Sequence, residues 1–214
     1  RFEMTWKFID PSIPHRTLML VSKFDHCLND LLYRKQTGEL NIAVTTVASN
    51  HPDLEPLARF HQAPFEVLPT GQSKLATKAA QEDRIRDLID AQDVDLVVLA
   101  RYTQVLSDEL CQELADRCIN IHHSFLPSFK GPRPYHQAFE RGVKDIGATA
   151  HYVTADLDEG PIIDQEVARV DHTFGPDQLL ATGRNMENYA LSRAVKAHSE
   201  HRVFLNGHKT VVLK

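Results

Sequence analysis

The feature that most limits the fold is the run Asp95-Leu96-Val97-Val98-Leu99-Ala100. It is short, continuous and aliphatic, the pattern of a strand covered on both faces. Such a strand needs parallel neighbours and helices above and below it. Arg16 to Val21, Ile42 to Val47, Phe65 to Leu68 and Cys118 to His122 read as those neighbours. Between them lie helical patterns. Leu28, Leu31, Leu32 and Lys35 recur at helical spacing, Pro52 to Phe60 is a short helix, and Ser73 to Asp90 sets Ile85, Leu88 and Ile89 on one face. Ser107-Asp108-Glu109 opens a further helix with a cap residue and first-turn acids. Strands alternating with helices imply βαβ units, hence an α/β, Rossmann-like domain with a mostly parallel central sheet and helices on both faces. Pro134 to Arg141 is helical, with proline at its start. After Gly142 the rhythm changes. Thr149 to Thr154 and Pro161 to Val170 are extended, Pro176 to Ser199 is a long helix, and Arg202 to Leu213 folds about Asn206-Gly207 as a hairpin. Antiparallel additions are therefore expected in the C-terminal part.

Composition excludes several classes. The 214 residues carry 24 Lys+Arg against 29 Asp+Glu, a net charge of -5, which argues against a general nucleic-acid binder. No apolar run approaches the roughly 18 residues of a membrane helix. Cys27, Cys111 and Cys118 show no CxxC spacing, so neither a zinc finger nor a disulfide frame is indicated, and a reducing, cytoplasmic setting is expected. Arg1 to Ile9 alternates, with Phe2, Met4, Trp6 and Phe8 on one face, and Asp10 to Pro14 reads as a linker. The alternation fits either the last strand of a preceding domain or an added edge strand.

Open parallel sheets bind ligands beyond the carboxyl ends of their strands. The first strand is followed by Ser22-Lys23-Phe24-Asp25-His26-Cys27, which has no glycine and so neither a dinucleotide fingerprint nor a phosphate-cradling loop. The fifth is followed by His123-Ser124-Phe125-Leu126-Pro127. Within it Asn120 and His122 share one face while Ile119 and Ile121 take the other. A polar pair is out of place in a covered strand, and an amide beside an imidazole suits a developing oxyanion. A structural histidine is the alternative at this point. In His151 to Pro161 three acids, Asp156, Asp158 and Glu159, crowd a turn that ends in Gly160-Pro161. Such a turn is either solvated or supplies a carboxylate that orients a histidine. Ser124 lacks the GxSxG elbow of a serine hydrolase, and no HExxH supports a metal site. His122 and His123 would face opposite ways if the strand continued, which also argues against a shared ion.

Leu96 to Ser107, Asn120 to Pro127 and His151 to Pro161 together resemble the three motifs of the folate-dependent formyltransferase fold. The resemblance runs from about Arg16 to Leu213. Asn120 to Pro127, Gly131 to Ala138 and Gly147 to Tyr152 are similar to the deformylase versions of these motifs. The resemblance implies hydrolysis of 10-formyltetrahydrofolate to formate and tetrahydrofolate, with formyl transfer to an amine such as glycinamide ribonucleotide as the alternative. A folate-binding module without catalysis is a third possibility, against which the complete set Asn120, His122 and Asp158 speaks. That set is implied to be catalytic. Leu99, Arg101, Gln104, Val105, Leu106, Ala155, Asp156 and Gly160 are implied to bind substrate, though core packing explains the apolar ones equally well. No metal and no cofactor is expected, and the partners are a small folate and water. Residues 1–10 would end an N-terminal ACT-type regulatory domain, 11–15 would link, and 16–214 would form the catalytic domain. The hairpin or the 1–9 strand would join subunits of a homo-oligomer. Relatives that transfer to a ribonucleotide carry a Gly-rich turn after the first strand, where this chain has Lys23, Phe24 and Asp25. Side chains in place of bare amides, one of them a carboxylate, disfavour an acceptor phosphate and leave water as the acceptor.

Overall fold

The computed structural model describes residues 8–68, 74–126 and 134–214. The expected strand over residues 1–9 falls mainly outside them, and residues 8 and 9 belong to no strand. The elements follow in the order β1 (His15–Val21), α1 (His26–Gln36), β2 (Ile42–Ser49), α2 (Glu55–Phe60), β3 (Phe65–Val67), α3 (Lys74–Ala91), β4 (Leu96–Leu99), α4 (Asp108–Glu113), β5 (Cys118–His122), α5 (Pro134–Arg141), β6 (Asp145–Tyr152), β7 (Ile162–Arg169), α6 (Pro176–Ser199), β8 (Val203–Asn206) and β9 (Lys209–Val212). One seven-stranded sheet runs β3-β2-β1-β4-β5-β6-β7, and β8-β9 is a separate hairpin. β1 to β5 are parallel, whereas β6 runs antiparallel to both β5 and β7.

Side-chain alternation sorts the sheet into two cores. Met19, Val21, Val98, Ile119 and Ile121 face α1 and α6, where Leu28, Leu31, Leu191 and Val195 cover them. Leu18, Leu20, Val97, Leu99 and Cys118 face α3 and α4, against Ile85, Leu88, Leu110 and Leu114. Both faces of β4 are dry, as its aliphatic run requires. The face that carries Leu99 and Cys118 continues along β5 and β6 as Asn120, His122, Thr149 and His151, with Asn120 opposite His151 and His122 opposite Thr149. Polar groups thus begin where the apolar cover of α3 and α4 ends.

Strand order reverses between β1 and β4, which opens a crevice at their carboxyl ends. Ser22 ties it together, donating to Asn50 Oδ1 at 2.7 Å and accepting from the Thr103 amide and hydroxyl, both at 3.0 Å. The antiparallel β6 adds a second approach. The loop after it starts level with the beginning of β5, where the Val153 amide donates to the Cys118 carbonyl at 2.9 Å. β6 begins four residues earlier than its β-branched pattern suggests, because Asp145 to Ala148 pair with β7 through a glycine. A Cβ at Gly147 would strike the Glu166 carbonyl, so the close approach requires glycine there.

Candidate active site

The site is built on β5 and β6. His122 ends β5, and its Nδ1 lies 3.2 Å from Asp158 Oδ2. Asp158 Oδ1 is 3.7 Å from His151 Nε2. His151 Nε2 is in turn 3.3 Å from Asn120 Nδ2. The three residues expected to act together do converge, and His151 completes a chain of amide, imidazole, carboxylate and imidazole. Its own Nδ1 lies 2.8 Å from the Tyr152 carbonyl, which can only accept, so that nitrogen carries the proton. In the neutral ring Nε2 then accepts an Asn120 amide hydrogen, which orients that amide. By the same logic His122 Nδ1–H donates to the carboxylate. His122 Nε2 is buried and has no hydrogen-bond partner among the described residues.

Burial works to raise the pKa of Asp158, but the hydrogen bond from His122 and the close approach of both imidazoles outweigh it and hold the carboxyl far below the usual range. The carboxylate is therefore ionised throughout the neutral range and a poor proton acceptor. Asp158 reaches the histidines from a left-handed backbone, φ 59°, and Arg101 across the cavity has φ 65°. Aspartate tolerates this region moderately and arginine less well, so both loops hold strained positions at the site.

These groups border a cavity of about 500 Å³, within the range of small-molecule sites. The expected residues Leu99, Arg101, Gln104, Val105, Leu106 and Ala155 line it, together with Asn120, His122 and Asp158. Tyr102, Thr103 and Leu157, which belong to the same expected loops, line it as well, as do Cys111, Val153 and Thr154, which were not anticipated. Two expected residues do not. Asp156 is exposed, and its carbonyl closes the acidic turn by accepting from Thr154 Oγ1 and the Glu159 amide. Gly160 is buried beneath the Tyr152 carbonyl and beside His151 Nδ1, and a Cβ there would strike that carbonyl. Its place is structural, since it lets the loop close under His151.

His122 and His123 do not diverge as strand alternation suggests. The strand ends at His122, the next residue bends, and both line the cavity with ring centroids 5.1 Å apart. Burial, then the charges of Arg101 and His122, push the His123 pKa down to about 4, so it is neutral at neutral pH. Thr149 fixes the bend, accepting from the Leu126 amide and donating to the Ser124 carbonyl. Pro127 and Gly131 to Arg133 lie outside the described residues. After β1, Lys23 and Asp25 are exposed, while Phe24 lies 5.1 Å beneath the Arg101 guanidinium. Among the described residues, no helix is long and apolar enough to cross a membrane.

Residues 15–195 match the family model described as formyl transferase. A formyltetrahydrofolate deformylase of Corynebacterium is 54% identical over 214 residues, covering 100% of this chain and 74% of the relative. The crystal structure of a formyltetrahydrofolate deformylase from Burkholderia mallei superposes with a TM-score of 0.91 at 55% identity, covering 96% of this chain and 72% of that one. A glycinamide ribonucleotide transformylase from Symbiobacterium toebii follows the same fold with a TM-score of 0.84 at 30% identity, covering 94% and 95%. With its motifs converging on one cavity and its length matched throughout, the chain belongs to the formyl transferase family, in the formyltetrahydrofolate deformylase branch.

Proposed function

We propose that the chain hydrolyses 10-formyltetrahydrofolate to tetrahydrofolate and formate, with Asn120, His122 and Asp158 as the reacting set. One observation carries the assignment of roles: His122 is held at Nδ1 by an ionised carboxylate, while Nε2 has no partner among the described residues and the ring lines the cavity. The deformylases that this chain resembles over its whole length support the substrate.

In this reading Nε2 of neutral His122 takes a proton from water as the water oxygen bonds to the formyl carbon. The carbonyl oxygen becomes an oxyanion and accepts the second amide hydrogen of Asn120, the first being engaged by His151. The imidazolium then gives its proton to nitrogen 10, the carbon–nitrogen bond breaks, and the formic acid released ionises to formate. Asp158 stabilises the imidazolium and fixes the ring. Both of its oxygens face histidines, which favours this role over that of a base toward water. No bond is made to the enzyme and no cofactor is needed. The folate rings would lie between residues 101–106 and 153–158. Leu99 and Leu106 would form buried walls, Val105 and Leu157 would stand exposed at the rim, and Arg101, Gln104 and Ala155 would complete the lining.

Absorbance-monitored conversion of 10-formyltetrahydrofolate, with formate quantified separately, tests this. Formate should appear at the rate of substrate loss without any amine, and His122→Ala should lower turnover by ~10²–10³. Turnover that requires an added amine would favour transfer instead. We further infer a cytoplasmic homo-oligomer. Exposed Phe204, Leu205, Val211 and Leu213 on the C-terminal hairpin support the assembly, and free buried Cys27, Cys111 and Cys118 suit a reducing compartment. A monomeric mass by light scattering would refute the former.

A further inference from the structure

Glu187 is the most deeply buried acid described, 1% exposed in the middle of α6, and it is not part of the reacting set. A buried carboxylate costs several kcal/mol unless it is well partnered. Its partners come from three other segments. His26 Nε2, at the start of α1, lies 2.8 Å from Oε2, Tyr135 of α5 donates its hydroxyl to Oε1 at 2.9 Å, and Arg101 Nε lies 3.3 Å from Oε2. Hydrogen bonding from His26 and the charge of Arg101 overcome burial and keep the acid ionised. Arg101 also spreads over the Phe24 ring, and Phe24 meets His26 edge-on at 6.5 Å. One carboxylate on α6 thus holds the start of α1, the loop after β4 and helix α5.

The place of this clamp gives it meaning. The sheet face forms the floor of the cavity, and segments 101–106 and 153–158 form two walls. Where the 101–106 wall meets His123, Arg101 is backed by Phe24 and Glu187, which lie behind the cavity lining. The Tyr135 ring lies 6.4 Å from that of His123. A second substrate that approached the formyl carbon along this edge would meet the Arg101–Phe24 pair, whereas water needs no such opening.

We propose that the Arg101–Phe24 pair, locked by Glu187, is the element that restricts the acceptor to water and excludes primary amines. The proposal rests on the hydrolytic reading above and extends it to acceptor specificity. If the wall is opened, the amine nitrogen bonds to the formyl carbon, the carbon–nitrogen 10 bond breaks, and the amine proton passes to nitrogen 10. The products are an N-formyl amine and tetrahydrofolate.

The test is a partition measurement with 10-formyltetrahydrofolate and a concentration series of glycinamide, quantifying N-formylglycinamide and formate in the same sample. The ratio is independent of overall rate. Arg101→Gly suits the left-handed backbone at that position, and Phe24→Gly alters a side chain that is 40% exposed. The wild type should yield formate alone. Each variant should raise the formyl-amine share about tenfold or more, the scale on which pocket contacts discriminate between substrates. Should Arg101→Gly fail to fold, Phe24→Gly carries the test. A wild-type ratio in both variants would overturn the proposal, as would ready formylation of glycinamide by the wild type, or complete loss of formate release in both folded variants. Absence of formate from the wild type would refute the hydrolytic reading instead.

Discussion

Replacing Asp158 by asparagine isolates what the carboxylate contributes. Asparagine keeps the shape, can still accept from His122 Nδ1, and tolerates the left-handed backbone at φ 59°. Only the charge is removed. A unit charge pair at the observed 3.2 Å interacts by about 5 kcal/mol at an effective dielectric constant of ~20. Partial solvent access, with the side chain 15% exposed, leaves ~3–4 kcal/mol, which is ~10²–10³ in turnover. The loss should fall on kcat, because the imidazolium forms only during reaction, while calorimetric affinity for tetrahydrofolate should hold. The carboxylate also links stability to pH. Its pKa is depressed in the fold, so its contribution is complete above the unfolded value, about 3.9, and disappears as pH falls through the folded value. The gap in Tm between wild type and Asp158→Asn should therefore be constant from pH 8 to about 5 and close in stronger acid. A folded variant with near-normal kcat, or a gap that changes around neutral pH, would refute the ion-pair argument.

His151→Leu should lower turnover about five- to tenfold through loss of one orienting hydrogen bond to Asn120, and combining it with Asn120→Ala should add little further loss in a double-mutant cycle. Gly160→Ala should destabilise the fold by about 1–3 kcal/mol in urea unfolding, because the methyl meets the Tyr152 carbonyl that anchors His151, and unchanged stability and rate would contradict that placement. His198 accepts from the Tyr152 hydroxyl at 2.7 Å, and burial, then the charges of His15 and His201, hold its pKa down to about 4. Its neutral form is favoured in the fold, so stability is complete above the unfolded pKa near 6.5 and falls as pH drops toward 4. His198→Asn should flatten that decline by up to ~1.4 kcal/mol per pH unit, as read from urea midpoints across the range.

Local pattern made much of the fold legible. β4 is a continuous apolar run, α6 is bounded by Pro176 and Ser199 as its periodicity requires, and Ser107 caps α4 by accepting from the Leu110 amide. Asn120 and His122 could be read because alternation alone puts them on one face. His151 escaped assignment because its role depends on the antiparallel register that sets it opposite Asn120, and pairing partners are not written in either strand. Gly160 and Asp156, expected in the slot by resemblance, instead serve the loop's own closure, Gly160 against the Tyr152 carbonyl and Asp156 through its carbonyl. Glu187 was invisible for a different reason. A glutamate within a long helix reads as a solvated residue until the helix is seen docked on His26, Arg101 and Tyr135.

The reversed direction of β6 divides the site into parts with different mechanical behaviour. Asn120, His122 and His151 ride on adjacent hydrogen-bonded strands, so their mutual spacing is that of the ladder itself. Asp158 alone hangs on a loop. A displacement of that loop by the length of one hydrogen bond would separate acid from ring while every strand pairing and both cores stayed intact. The chemistry can therefore be switched off, or retuned by changes in loop length, while the strands that carry the other three groups stay in place.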